Sequence, residues 1–261
     1  MALSFSTKPS LVVYLTCGDP DLGATRDIAL AAIEAGAEVI ELGVPFSDPV
    51  ADGPVIQRAS ERALQRGTTL ANVLGLAREL RRTKPRAGLI VFSYFNPMLR
   101  MGLERFAEAA AEAGVDGALI TDLTVEEAGD YLSVMRKQKL ATVFLAAPTS
   151  TDARLKRIAQ ASSGFVYAVS RTGVTGARRE LSGDARDLVR RLRKFTRLPI
   201  VVGFGISTPE QFAEAGAFAD GVVVGSALVE VVERSASAEE AARKVGEFVR
   251  ELAKEKGKRK K

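Results

Sequence analysis

Apolar residues fall into two alternating patterns along this chain. Short β-branched runs, LVVYLT at 11–16, GLIVF at 88–92, DGALIT at 116–121, GFVYAV at 164–169, PIVV at 199–202 and DGVVV at 220–224, read as buried strands, with two more over 38–42 and 140–145. Between them the period lengthens to that of a helix: Ile28, Ala31, Ala32 and Ala35 share one face, and Val245, Phe248, Val249 and Leu252 another. Three helices end on EAG, at 34–36, 112–114 and 214–216, and each glycine suits the left-handed position just past a helix end. Eight strands alternating with helices predict a parallel sheet. Their even spacing, with no Pro/Ser/Gly-rich linker, favours closure into a single (β/α)8 TIM barrel over two doubly wound sheets.

Composition narrows the class. Hydrophobic residues make up 46% and charged residues 26% of 261, a globular balance that fits one such barrel. Cys17 is the only cysteine and histidine is absent, so neither an internal disulfide nor a Cys/His zinc cluster can form; a reducing compartment fits. Neither a secretory leader nor a run of about eighteen apolar residues is present, which points to the cytoplasm and away from membranes. The net charge of +5 sits wholly in residues 254–261, which hold five Lys, one Arg and one Glu. The expectation is a neutral barrel domain over 1–253, with no nucleic-acid groove, and a basic, solvated, disordered tail over 254–261 in which nothing beyond Leu252 packs.

In a barrel, the loops after the strand C-termini carry the chemistry. The first to stand out is ELGVPFSDPVADGP at 41–54. Strand alternation puts Val39 and Glu41 inside and Ile40 and Leu42 against the helices. An interior carboxylate is either poorly solvated and raised in pKa for proton transfer, or a structural acid paired with a buried cation. Asp48 and Asp52 lie in a segment stiffened by Pro45, Pro49 and Pro54, where aspartate serves turns as well as catalysis. Glycine-bearing loops follow three late strands: SRTGVTGA at 170–177, GFGIS at 203–207 and GSA at 225–227. The last is expected to open the final helix, where backbone N–H groups and the helix dipole favour an anion, and Ser207 with Glu210 reads as a capping box. No P-loop, nicotinamide fingerprint or Ser/His/Asp triad is present, so acid/base work falls to carboxylates.

The 41–54 segment resembles the signature loop of tryptophan synthase alpha subunits. TCGDP at 16–20, YFNPM at 94–98, TDLTVEE at 121–127, SRTGVTG at 170–176, GFGIS and VVGSA resemble that family's blocks in the same order, over about residues 11–250. The resemblance implies a lyase of tryptophan biosynthesis that splits indole-3-glycerol phosphate into indole and glyceraldehyde 3-phosphate with no cofactor of its own. It implies that Glu41 is the general acid/base at indole C3 and that Asp52 holds the indole N–H. Thr175 would close over the site and bond Asp52, Gly176, Gly205, Gly225 and Ser226 would cradle the phosphate, and Tyr94 and Tyr167 would line the indole pocket. The implied partner is a pyridoxal-phosphate beta subunit in an αββα complex, contacted by the 45–54 loop and the YFNPM region, with the 170–180 loop communicating closure. Two alternatives stay open, a stand-alone lyase and a catalytically silent activator of the beta subunit, though intact Glu41 and Asp52 speak against silence. The chain departs from the pattern at Thr124, where proline is usual. It also has only about ten residues before LVVYLT, where relatives carry a helix that covers the barrel bottom; this puts stability in isolation in doubt.

Overall fold

The computed structural model describes residues 3, 5–169, 183–203 and 205–256. Eight parallel strands close in sequence order, with the last pairing the first. They are β1 Ser10–Thr16, β2 Val39–Gly43, β3 Gly88–Ser93, β4 Gly117–Ile120, β5 Ala141–Ala146, β6 Val166–Val169, β7 Ile200–Gly203 and β8 Gly221–Val224. The helices outside them are α1 Leu22–Glu34, α2 Pro54–Gln65, α3 Leu70–Thr83, α4 Phe95–Met101, α5 Leu103–Glu112 and α6 Gly129–Lys137. They continue with α7 Asp152–Ala161, α8 Gly183–Leu192, α9 Pro209–Gly216, α10 Ser226–Glu233 and α11 Ala238–Ala253. Each apolar run lies on its predicted strand. No described helix is long and apolar enough to cross a membrane.

Alternation along the strands divides the core into two layers. Leu11, Val13, Leu15, Ile40 and Leu42 pack outward with the helices, whereas Val12, Tyr14, Val39, Ile90, Phe92, Tyr167 and Val223 fill the interior. Each fully buried aliphatic side chain contributes roughly 1.5–3 kcal/mol. Polar caps set where the helices begin: Asp21 accepts from the Ala24 N–H at 2.8 Å, Thr69 and Asn72 form a capping box, and Ser237 caps α11.

The EAG reading holds at Gly36 and Gly114, whose φ angles are 117° and 75°. It fails at Gly216, which is the last residue of α9 itself. There glycine answers a packing need, because a β-carbon would collide with the Pro9 ring. The capping box also shifts by one residue. Pro209 occupies the first helical turn, so Thr208 is the cap and accepts from the Gln211 N–H at 3.2 Å, while the Gln211 carboxamide accepts from the Ser207 N–H at 2.9 Å.

The barrel bottom is closed by the segment before β1. Leu3 and Phe5 pack against the interior cluster, and Phe5 meets Phe165 edge-on with ring centroids 5.6 Å apart. Two apolar side chains thus lie beneath the interior layer at the barrel bottom. Carboxylates tie the strand starts below. Asp116 accepts from the Leu89 N–H at 2.9 Å and from Arg81 at 2.6 Å, and Asp220 accepts from the Ile200 N–H at 2.9 Å and from Lys8 at 2.8 Å. Glu38 accepts from the Ser6 and Thr7 N–H groups at 2.9 and 3.2 Å. It also pairs with Lys256 at 2.8 Å, and the Lys256 ammonium donates to the Gly36 carbonyl at 2.7 Å. The expectation that nothing packs beyond Leu252 is therefore corrected: a long lysine stem reaches back across the start of β2.

Candidate active site

Glu41 sits in the middle of β2, in register with Tyr14 of β1 and Ile90 of β3. Its side chain points into the interior layer and has no solvent exposure. Neither carboxylate oxygen has a hydrogen-bond partner among the described residues, and none of these supplies the cation that a paired structural acid needs. Burial pushes its pKa up to about 8. At neutral pH the group is mainly a protonated acid, with an O–H available to a substrate.

Asp52 lies in the β2–α2 loop and is held from several directions. Its own N–H donates to the Pro49 carbonyl at 3.0 Å, and the Gln57 amide donates to its carbonyl at 2.8 Å. The Tyr94 hydroxyl donates to Oδ2 at 3.0 Å while accepting from the Ala51 N–H at 2.9 Å. Phe46 stacks on Tyr94 with centroids 4.9 Å apart, which fixes the phenol. Burial raises the Asp52 pKa to about 6 against the opposing pull of the Tyr94 hydrogen bond. The two carboxyls, one on a strand and one on a loop, are thus drawn apart in pKa into an acid and a base at neutral pH. Asp48 is exposed and bonded to Ser47.

Tyrosines surround the acids. Tyr167 on β6 is buried, and its hydroxyl occupies the space that a side chain at Gly203 would fill. Tyr14 does the same against Gly43 and meets Phe92 edge-on at 5.0 Å. Burial raises both phenols well above the ordinary value, Asp52 and Glu41 add to the shift, and both stay protonated. Tyr14 was not singled out from sequence, although its signal is there: one phenol on the inward alternation of LVVYLT, level with Glu41.

The phosphate candidates divide. Gly225 precedes α10, whose first residues are Ser226 and Ala227, and no side chain caps this end. The first N–H groups of a helix lack intrahelical acceptors, so an external anion can satisfy them. Gly205 has φ 77° and open space where a β-carbon would stand. The GSA turn does not open the final helix, as sequence suggested, because α11 follows α10. Thr175 and Gly176, with the loop at 170–180, lie outside the described residues.

Comparison with known proteins bears on the family and the fold. The family model described as tryptophan synthase alpha chain matches residues 2–257. A tryptophan synthase alpha chain from Solibacter usitatus is 52% identical over 96% of this chain and 93% of its own length. One from Geobacter sulfurreducens is 48% identical over 96% and 94%. Among solved structures, Mycobacterium tuberculosis tryptophan synthase superposes with a TM-score of 0.88 at 38% identity, covering 95% of this chain and 92% of that one. The tryptophan synthase complex from Pyrococcus furiosus gives 0.87 at 39% identity, covering 95% and 99%. With a full-length match of that depth on a closed barrel, the chain belongs to the tryptophan synthase alpha chain family.

Proposed function

We propose that Glu41 and Asp52 together carry the retro-aldol cleavage of indole-3-glycerol phosphate, the lyase step of a tryptophan synthase alpha chain. One observation carries the assignment: a fully buried carboxyl with no hydrogen-bond partner among the described residues faces an interior near a second buried carboxyl, Asp52. The O–H of Glu41 delivers its proton to indole C3. Asp52 accepts the indole N–H and stabilises the positive charge that C3 protonation places on the ring. The carboxylate left on Glu41 then takes the proton of the glycerol hydroxyl next to the breaking bond, the C–C electron pair returns to the ring, and indole and glyceraldehyde 3-phosphate part. Glu41 ends as it began. Both proton transfers run through side chains of this chain, and no organic cofactor enters the scheme.

Tyr94 orients Asp52, and Tyr167 lines the indole pocket. Gly205 and the turn at Gly225 and Ser226 hold the phosphate through backbone N–H groups, joined by Gly176, while Thr175 closes over Asp52. The single barrel over 1–253 works in the cytoplasm with a pyridoxal-phosphate beta subunit. Val50 on the 45–54 loop, 80% exposed, and Leu99 on α4, 51% exposed, supply apolar surface for that contact. Measured indole release from indole-3-glycerol phosphate by the wild type, Glu41→Gln and Asp52→Asn tests the assignment. Turnover in the wild type that survives either substitution overturns it.

A further inference from the structure

A ladder of four charged side chains crosses the active face. Arg62 of α2 donates through Nε and Nη2 to both carboxylate oxygens of Asp19, at 2.8 and 2.7 Å, and through Nη1 to Glu233 Oε1 at 2.7 Å. Arg58, one turn earlier, makes a second two-pronged pair with Glu233 at 2.8 and 2.7 Å. Two-pronged guanidinium–carboxylate pairs fix orientation as well as distance. The Asp19 side chain is only 3% exposed.

Two of the three segments the ladder joins carry residues proposed above to hold substrate. Asp19 lies in the loop after β1. Helix α2 begins two residues after Asp52, and its Gln57 grips the Asp52 carbonyl. Glu233 is the last residue of α10, the helix whose first residue is Ser226. A helix of that length spans only about 12 Å and moves as a rod, so pinning Glu233 pins the phosphate turn. Ala59 of α2 and Val229 of α10 join the same interior cluster, so the ladder ties together two helices that already pack on one core.

We propose that Arg62 is a positioning residue that sets the separation between Asp52 and the phosphate turn, so that both ends of indole-3-glycerol phosphate are gripped at once. The inference rests on the proposed roles of Asp52, Gly225 and Ser226. Arg62 touches no reacting atom. Exposed pairs such as Arg58–Glu233 are screened by solvent and contribute little to stability. Misplacing a bound substrate by about 1 Å costs on the order of 10²-fold in rate. Arg62 also pairs with the buried Asp19, so its loss lowers stability as well, and the effect on catalysis is read per folded molecule.

The test compares the wild-type full chain with Arg62→Gln, Arg62→Lys and Glu233→Gln. It measures kcat and KM for indole-3-glycerol phosphate, and separately the inhibition constants of indole and of glycerol 3-phosphate, the two ends uncoupled. Arg62→Gln is expected to lower kcat/KM by roughly 10- to 100-fold while the affinity for each fragment stays within about twofold. Arg62→Lys should recover little, since an ammonium cannot span both oxygens of Asp19 and also reach Glu233. Unchanged kcat/KM per folded molecule, or fragment affinities that fall as far as kcat/KM, overturns the proposal. If Arg62→Gln does not fold, Glu233→Gln, which keeps the Arg62–Asp19 pair, decides by the same criteria. A wild type that releases no indole overturns the site assignment itself, and that result is visible without any variant.

Discussion

Replacing Glu41 by glutamine separates its chemical role from a structural one, because the two predict opposite changes in stability. The folded pKa of about 8 stands above the ordinary 4.5. Between those values the unfolded chain has released a proton that the folded chain still holds, so wild-type stability falls as pH rises, by about 1.4 kcal/mol per pH unit. At pH 7 the accumulated loss is on the order of 3 kcal/mol relative to stability below pH 4.5. Glutamine does not titrate and escapes that loss. The advantage of Glu41→Gln in unfolding free energy should grow with pH from about 5 to 8, whatever fixed penalty the extra buried N–H imposes. Denaturant melts of both proteins at several pH values measure the slope. On the same preparations, indole release should fall by at least about 10²-fold, the size of one acid/base contribution. If Glu41 were instead half of a buried ion pair, the substitution would strand its cation, lower stability by roughly 3–5 kcal/mol and spare turnover per folded molecule. A destabilised but active Glu41→Gln refutes the mechanism.

The pH dependence of kcat/KM should fall on the alkaline side near pH 8 as Glu41 loses its proton; the acid side near pH 6 combines Asp52 with the substrate phosphate, so an alkaline limb absent below pH 10 contradicts the role of Glu41. Tyr94→Phe removes the hydrogen bond that opposes the burial-driven rise of Asp52, so the acid limb should shift to higher pH and kcat/KM should drop roughly tenfold; an unmoved limb separates Tyr94 from Asp52. Lys256→Ala should lower the melting temperature by a few degrees, for about 1 kcal/mol lost at Glu38 and Gly36, with turnover intact; an unchanged melt restores the reading of an idle tail. Gly205→Asp should raise KM for the substrate by placing like charge near the phosphate, and an unchanged KM removes Gly205 from the cradle.

The barrel was legible because its rule is periodic. Alternation of Val39, Ile40, Glu41 and Leu42 told inside from outside without any long-range information, and the interior placement of Glu41 followed from it. The errors came where one residue answers a distant one. Gly216 repeats a helix-end tripeptide, but the cause of its glycine is Pro9, some two hundred positions away. Lys256 looked like one charge in a solvated run, and only the meeting of α11 with the start of β2 gives it Glu38. Tyr14 carried its alternation signal, but its setting depends on Gly43 leaving room for the phenol, which spacing along one strand does not reveal. The ladder of Arg58, Arg62, Asp19 and Glu233 joins three separate segments, and no local pattern announces it.

Glu38 and Glu41 stand three positions apart in one stretch of chain, and their environments drive the same chemical group in opposite directions. At Glu38 burial alone would raise the pKa, but hydrogen bonds from Lys256, Thr7 and Ser6 outweigh it and hold the carboxyl down at about 2. Its stabilising contribution is present above the ordinary 4.5 and is lost only as pH falls toward 2. At Glu41 no described residue opposes burial, and stability is lost as pH rises toward 8. The lower end of β2 therefore uses a saturated carboxylate to anchor the segment before β1 and the end of α11. Further up the same strand, an unsatisfied carboxyl is kept at a cost that the anchors help to offset. A substrate that bonds Glu41 relieves that cost on binding, so the donor and acceptor capacity missing from the free protein is available to the reaction. The division follows the geometry of a parallel barrel: strand starts face the closed bottom, where partners from the chain ends are near, and strand ends face the loops that admit substrate.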